Sequence, residues 1–206
     1  AQMQVDTIRT RLEMLSEDRS GEYLKVVEES DDTLGCFLFG CDDPLKLPDY
    51  QNNFHIKQYK RIKVYASKRP WLSTEITVKD RRKYTLFLVG TGETRGCNRP
   101  QCKMEPITNN RIILKLGENQ TYKYPKFSYR DGSSKINYFD NLGEIYISYK
   151  DWRTWPPPQG WYQDNSGHIL IDAFLFEKEK EKEFKNFLRA VKRLNPGDEN
   201  IQKVQL

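Results

Sequence analysis

Few side chains in this sequence could do covalent chemistry, and more could hold a ligand. There are only two histidines. His55 falls in an alternating stretch among Lys and Gln and reads as a half-exposed strand residue. His168 follows "NSG" and reads as the structural opening of a strand. Ser166 lies between Asp164 and His168, but residues two apart on a strand or turn do not by themselves make a nucleophile and its base. No nucleophile elbow, phosphate-binding loop, zinc-protease motif or dinucleotide fingerprint occurs. The expectation is a protein without catalysis. The binding chemistry gathers in "DWRTWPPPQGWYQDNSG", residues 151–167. Its consecutive prolines stiffen a loop, which lowers the entropic cost of binding. Trp152, Trp155, Trp161 and Tyr162 fall within eleven residues, and aromatic faces suit sugars, Arg or Lys side chains and nucleic-acid bases alike. The other reading is that the indoles fold back and cap an open end of the fold. Asp164, Asn165 and Ser166 then stand on the threshold of a strand, either as a turn that caps its own backbone or as an ion or sugar contact.

Such a loop needs a frame, and the chain from about residue 54 supplies one. "FHIKQYKRIKVYA", "TEITV", "YTLFLVG", "NRIILKLG", "QTYKYPKFSY", "INYF", "EIYISY" and "HILIDAFLF" follow one another as strands. Separators rich in Gly, Asn and Asp stand between them. Many short strands at this spacing predict an all-β fold, an antiparallel jelly-roll-like β-sandwich. In the last strand Ile169, Ile171, Ala173 and Leu175 share one face, which should be core. Helices are expected at the two ends. Val5, Ile8, Leu12 and Leu15 give one apolar stripe over 3–16. Phe184, Phe187, Leu188, Val191 and Leu194 give another over 180–194, stopped by Asn195-Pro196-Gly197. That second helix either packs on the sandwich or on the first helix, or offers a basic amphipathic face to a partner. Three segments result: 1–53, an N-terminal helix and extended stretch; 54–176, the sandwich; 177–206, a C-terminal helix and tail.

The bulk properties agree with a small folded domain. The chain has 206 residues, 13% aromatic and 31% charged, with a mean hydropathy of −0.83. Aromatic content of that order argues against disorder, and no apolar run is long enough to span a membrane. The net charge of +5 is mild. Lys68, Arg69, Arg81 and Arg82, from "KRPW" and "KDRRK", should bracket one hairpin, either as a solvated rim or as a polyanion contact. The chain begins at Ala1 without a basic-then-apolar leader, as an excised domain or processed form would, and names no compartment. Cys36/Cys41 and Cys97/Cys102 have the same spacing. They could be free thiols, disulfides in an oxidising compartment, or a zinc site. Five residues apart on a strand, Cys36 and Cys41 would face opposite sides, which disfavours zinc.

Across residues 60–176 the order of features resembles the galactose-binding-like β-sandwich of the calcium-dependent galactophilic bacterial lectins. "PWLSTEITVKDRRKYTLFLVGTG" is similar to the family's early turn and Gly-ended strand, and "IILKLG" to its central strand. "IYISYKD" followed by "YQDNSGHILIDAF" is similar to its acidic loop and final strand. The resemblance implies calcium held by Asp151, Asp164, Asn165 and a backbone carbonyl near Val78, with carbohydrate bound beside it. Calcium takes about six to eight oxygens, which such a set can supply in part. Trp161 stands where the family has a Thr ligand, the 151–164 loop is longer, and "TGETRGCNRPQCKMEP" has no counterpart of the His- and Gln-bearing loop. The leading functional expectation is a lectin-like binding module. The other is an interaction domain of a larger protein that binds a protein or nucleic acid through a basic and aromatic surface. Trp152, Trp155 and Trp161 fit no helix or strand period, so at least one indole should rim the site. Replacing Trp155 and Trp161 singly by Ala should weaken ligand binding at the rim position with little loss of stability. A buried indole would instead cost about 3–5 kcal/mol. Calorimetric melts beside binding titrations separate the two, and unfolding by both substitutions would make the loop a structural lid.

Overall fold

Alternating β-branched and aromatic residues carry the chain into eight strands among the described residues: β1 (Ile56–Tyr65), β2 (Leu72–Val78), β3 (Tyr84–Arg95), β4 (Glu105–Pro106), β5 (Ile112–Leu116), β6 (Ser133–Ile136), β7 (Gly143–Tyr149) and β8 (Ser166–Glu177). The computed structural model describes residues 43–48, 55–67, 71–96, 101–109, 111–117, 123–150 and 165–206. The chain divides into two compact units, Ala1–Asp42 and Asp43–Leu206, and every described residue belongs to the second. The helix expected over 3–16 lies outside the described residues. One sheet runs β1-β8-β3-β4, with β6 also on β3, and the other runs β2-β7-β5. All named pairings are antiparallel, so the expected all-β sandwich is what forms. No described helix is long and apolar enough to cross a membrane.

β8 is central because both of its faces are buried. Ile169, Ile171, Ala173 and Leu175 turn inward, as their spacing predicts, and join Ile62, Val64, Leu86 and Leu88 of their own sheet against Ile76, Ile112, Leu114, Ile145 and Ile147 of the other. Phe174 and Phe176 turn outward beneath α1 (Glu181–Leu194), where Phe184, Phe187, Leu188 and Val191 meet Phe87 and Val89 in a second core. Phe176 and Phe184 stack with centroids 4.0 Å apart, and Phe87 meets Phe184 edge-on at 5.3 Å. The C-terminal helix thus packs on the sandwich. Leu194, at the end of its stripe, is exposed. Asn195 ends the helix with its backbone N–H on Val191 O, and its amide exchanges hydrogen bonds with the Lys46 backbone at 2.8 Å in both directions.

Between Ile171 and Ala173 the strand carries an acid. Asp172 is fully buried, facing the helical side, where an uncompensated carboxylate would be very costly. Its Oδ1 accepts from Arg61 Nε and Tyr59 Oη, both at 2.8 Å. Its Oδ2 accepts from Arg61 Nη2 at 2.7 Å and Asn200 Nδ2 at 3.0 Å. Arg61 also donates to Asp198 Oδ2 at 2.6 Å and to Asp43 O at 2.9 Å, while Tyr59 Oη accepts from Leu45 N–H at 2.9 Å. Burial alone would lower the Arg61 pKa, but the hydrogen bonds and charges of Asp172 and Asp198 raise it above the ordinary value. The Tyr59 hydroxyl is pushed up by burial and by the Asp172 charge. One clasp therefore ties the 43–47 strap, β1, β8 and the short helix α2 (Glu199–Lys203), whose N-cap is Asp198.

Several details differ from the sequence reading. β2 and β3 lie in different sheets, so "KDRRK" is a crossing between layers and not a hairpin turn. "TGETRG" is not a separator: β3 runs through it to Arg95, paired with β8 throughout. Of "QTYKYPKFSY", the described part from Lys123 makes only an isolated bridge to Leu114, since Pro125 removes a ladder donor. His55 stands just before β1 at a φ of 55°, exposed and 3.7 Å from Glu177. Replacing Arg61 by Met should destabilise the fold by about 3–5 kcal/mol, because it strands the Asp172 charge. The double change with Asp172→Leu should recover much of that loss. Urea unfolding of both variants measures this.

Candidate functional site

Three connections open at one end of the sandwich. β1 ends at Tyr65 opposite His168 near the start of β8, and β3 ends at Arg95 opposite Ser166. β7 ends at Tyr149 beside Ile112, the first residue of β5. The links after β1, after β3 and between β7 and β8 therefore all have their described flanks at this mouth. Two glycines let the backbones of β3 and β8 close there. Gly92 has a φ of 117° and Gly167 a φ of 87°. A Cβ at Gly92 would fall 2.4 Å from His168 O, and one at Gly167 would fall 2.2 Å from Glu93 O. No side chain fits either position, and the conformations are ones that glycine adopts at little cost.

Asn165 sits at the centre of this mouth, one residue before β8. It is only 6% exposed. Its Nδ2 donates to Ala66 O at 3.0 Å, and Ala66 N–H donates in turn to Gly167 O at 3.1 Å. Because Ala66 presents a carbonyl, the amide must turn its NH2 towards it, which fixes the opposite direction for Oδ1. That oxygen is buried with no hydrogen-bond partner. Thr94, opposite Gly167 in the ladder, likewise buries an Oγ1 without a partner. A buried polar atom left unsatisfied costs about 1–3 kcal/mol. Two on adjacent strands at one opening are what a bound ion, water or ligand hydroxyl would satisfy. On the outer side of the same end the Tyr65 and His168 rings lie 5.8 Å apart, with Lys63 Nζ 5.7 Å from the Tyr65 ring.

No family model matches the chain, and no curated protein matches it. A solved structure described as "EclA N-terminal domain; PllA-like lectin" is similar, with a TM-score of 0.42 and 10% identity, covering 60% of this chain and 98% of that chain.

Of the residues put forward as metal ligands, Asn165 is the one that lies among the described residues, with its carbonyl oxygen buried and without a partner. Asp151 and Asp164 lie outside the described residues, as do Trp152, Trp155, Trp161, Tyr162, Lys68 and Arg69. Among the described residues no three His, Cys, Asp or Glu side chains group to hold a metal. The carbonyl near Val78 is excluded from this site. Val78 pairs with Gly143 at the far end of β2, whereas Leu72 pairs with Ile147 near the mouth. Six residues of strand place Val78 roughly 20 Å away from that end. Arg81 and Arg82 are exposed at that far end too. Cys102 is disulfide-bonded, so it has no thiolate to give to zinc. Thr94 was hidden in the sequence because "TGETRG" has turn composition, and only its pairing with β8 shows that it faces inward.

Proposed function

We propose that this chain is a non-catalytic, lectin-like binding module whose carbohydrate ligand and a calcium ion sit at the mouth around Asn165. The observation that supports it is the buried, oriented and unpartnered Asn165 Oδ1. Asn200 in the clasp also buries an Oδ1 without a partner, but Asn165 does so at the open end of the sandwich, beside the equally unpartnered Thr94 Oγ1. Here one end is spent fixing the direction of the other. In this reading Asp164, its neighbour in sequence, and Asp151 supply the carboxylates that a neutral amide oxygen lacks. Calcium, when bound, would supply coordination sites for sugar hydroxyls. Trp152, Trp155, Trp161 and Tyr162 then offer rings to the apolar faces of the sugar.

Thermal melts with millimolar calcium and with chelator test the ion. A ligand bound only by the native state stabilises it by about 2.7 kcal/mol at a hundred times its dissociation constant, so the midpoint should rise in calcium. Asn165→Ala should abolish that rise while the protein still melts cooperatively in chelator. A glycan array read in calcium and in chelator tests the sugar. Equal wild-type midpoints would remove calcium from the account, and a silent array would remove carbohydrate.

A further inference from the structure

A row of exposed cations begins at the other end of the molecule, and it comes from two elements far apart in sequence. Arg81 and Arg82 are exposed in the crossing from β2 to β3. That crossing is rigid: Asp80 accepts from Arg82 N–H at 2.8 Å and from Lys83 N–H at 3.0 Å, and Arg81 O accepts from Phe139 N–H at 3.2 Å. Lys178 N–H donates to Lys83 O at 2.9 Å, so the segment leading into α1 starts against this crossing. From there Lys178, Lys182, Lys185 and Arg189 follow at intervals of four, three and four, all exposed, which is one face of a helix. Two acids of the same stretch form ion pairs with other lysines, although the Glu181 charge is also felt by Lys185 and Glu179 is exposed. Glu181 pairs with Lys135, and Glu183 with Lys180 at 3.6 Å. Among the described residues none of the six cations has a carboxylate within ion-pair distance. The basic helix face, read separately from the sequence, therefore starts beside the basic crossing.

We infer that this surface is a second binding site, and that its occupant is a sulfated polysaccharide. Charge complementarity calls for a polyanion. The phenylalanines of α1 are buried in the helical core, so the helix ridge itself offers no ring on which a nucleic-acid base could stack, and the exposed ring near the crossing is Tyr138, next to Phe139. Cys102 is disulfide-bonded. Disulfides persist in oxidising compartments, where acidic polysaccharides, not nucleic acids, are the abundant polyanions. The contact is electrostatic and involves no calcium, so it stands or falls apart from the site at Asn165.

The probe is heparin, used with the full chain and with chelator present. The protein should bind at about 0.15 M salt and be released by about 1 M, as the screening length shrinks from about 8 to about 3 Å. Arg81→Glu with Arg82→Glu, and separately Lys182→Glu with Lys185→Glu, should each weaken binding at least about tenfold, with melting midpoints unchanged because all four residues are exposed. Lys103→Glu with Lys126→Glu, away from the surface, is the control and should change binding less than about threefold. No binding at 0.15 M salt, or an equal loss in the control pair, would overturn the site. Tighter binding of duplex DNA of matched charge would overturn the polysaccharide assignment.

Discussion

A carboxylate in the middle of the most buried strand sets the terms for this fold. Asp172 cannot stay charged in the protein interior without partners, and the bidentate guanidinium of Arg61 meets that need from the neighbouring strand. A guanidinium has five donors and a carboxylate pair uses only some of them. The remainder reach Asp198 and Asp43. The surplus hydrogen-bonding capacity of one ion pair thus holds an N-terminal strap and a C-terminal helix cap. Apolar burial drives the association of α1 with the sheet, but it is not directional. The clasp is, and it gives the strap, β1, β8 and α2 a single arrangement.

The consequence reaches the mouth of the sandwich through β8. The same strand that carries Asp172 begins at Ser166, immediately after Asn165, and its register against β1 and β3 is continuous from the clasp to that end. A slip of one residue would turn Asp172 into the sandwich core and Asn165 out of the mouth. The clasp therefore fixes where the Asn165 amide points, although the two lie on opposite faces of the sheet. In the proposed site, residues at the end of a strand so pinned would need little reorganisation to meet a ligand, which is how a rigid scaffold keeps the cost of recognition low.

Much of this was legible from residue pattern. Alternation gave β8 its inward face, and the Phe-rich stripe gave α1 its buried side, because both depend on local periodicity that tertiary contacts then exploit. The role of Asp172 was not legible, since its partners Arg61 and Asn200 lie far away in sequence and an acid within an alternating strand reads as solvent-facing. α2 is too short to show a period, and only its Asp198 cap marks it. The continuation of β3 through "TGETRG" was masked by glycines whose purpose is close approach of two backbones, a contact invisible in one dimension. At the mouth, the order "DNSG" before a strand marked Asn165 as a turn residue or an ion or ligand contact, and its burial against the distant Ala66 could not be read there. The carbonyl near Val78 was misplaced because the two ends of β2 cannot be told apart until the pairing with β7 is known.

The mouth holds the buried oxygens of Asn165 and Thr94 without partners, and from the crossing along α1 run exposed cations without ion pairs among the described residues. The central claim concerns the first, that the Asn165 carbonyl is aimed at a cation. A crystal structure of the full chain grown with calcium tests it most directly. The account predicts calcium at about 2.3–2.6 Å from Asn165 Oδ1, with the Nδ2 hydrogen bond to Ala66 intact. An Oδ1 that instead accepts a hydrogen bond from a protein N–H, with no cation beside it at saturating calcium, would contradict it.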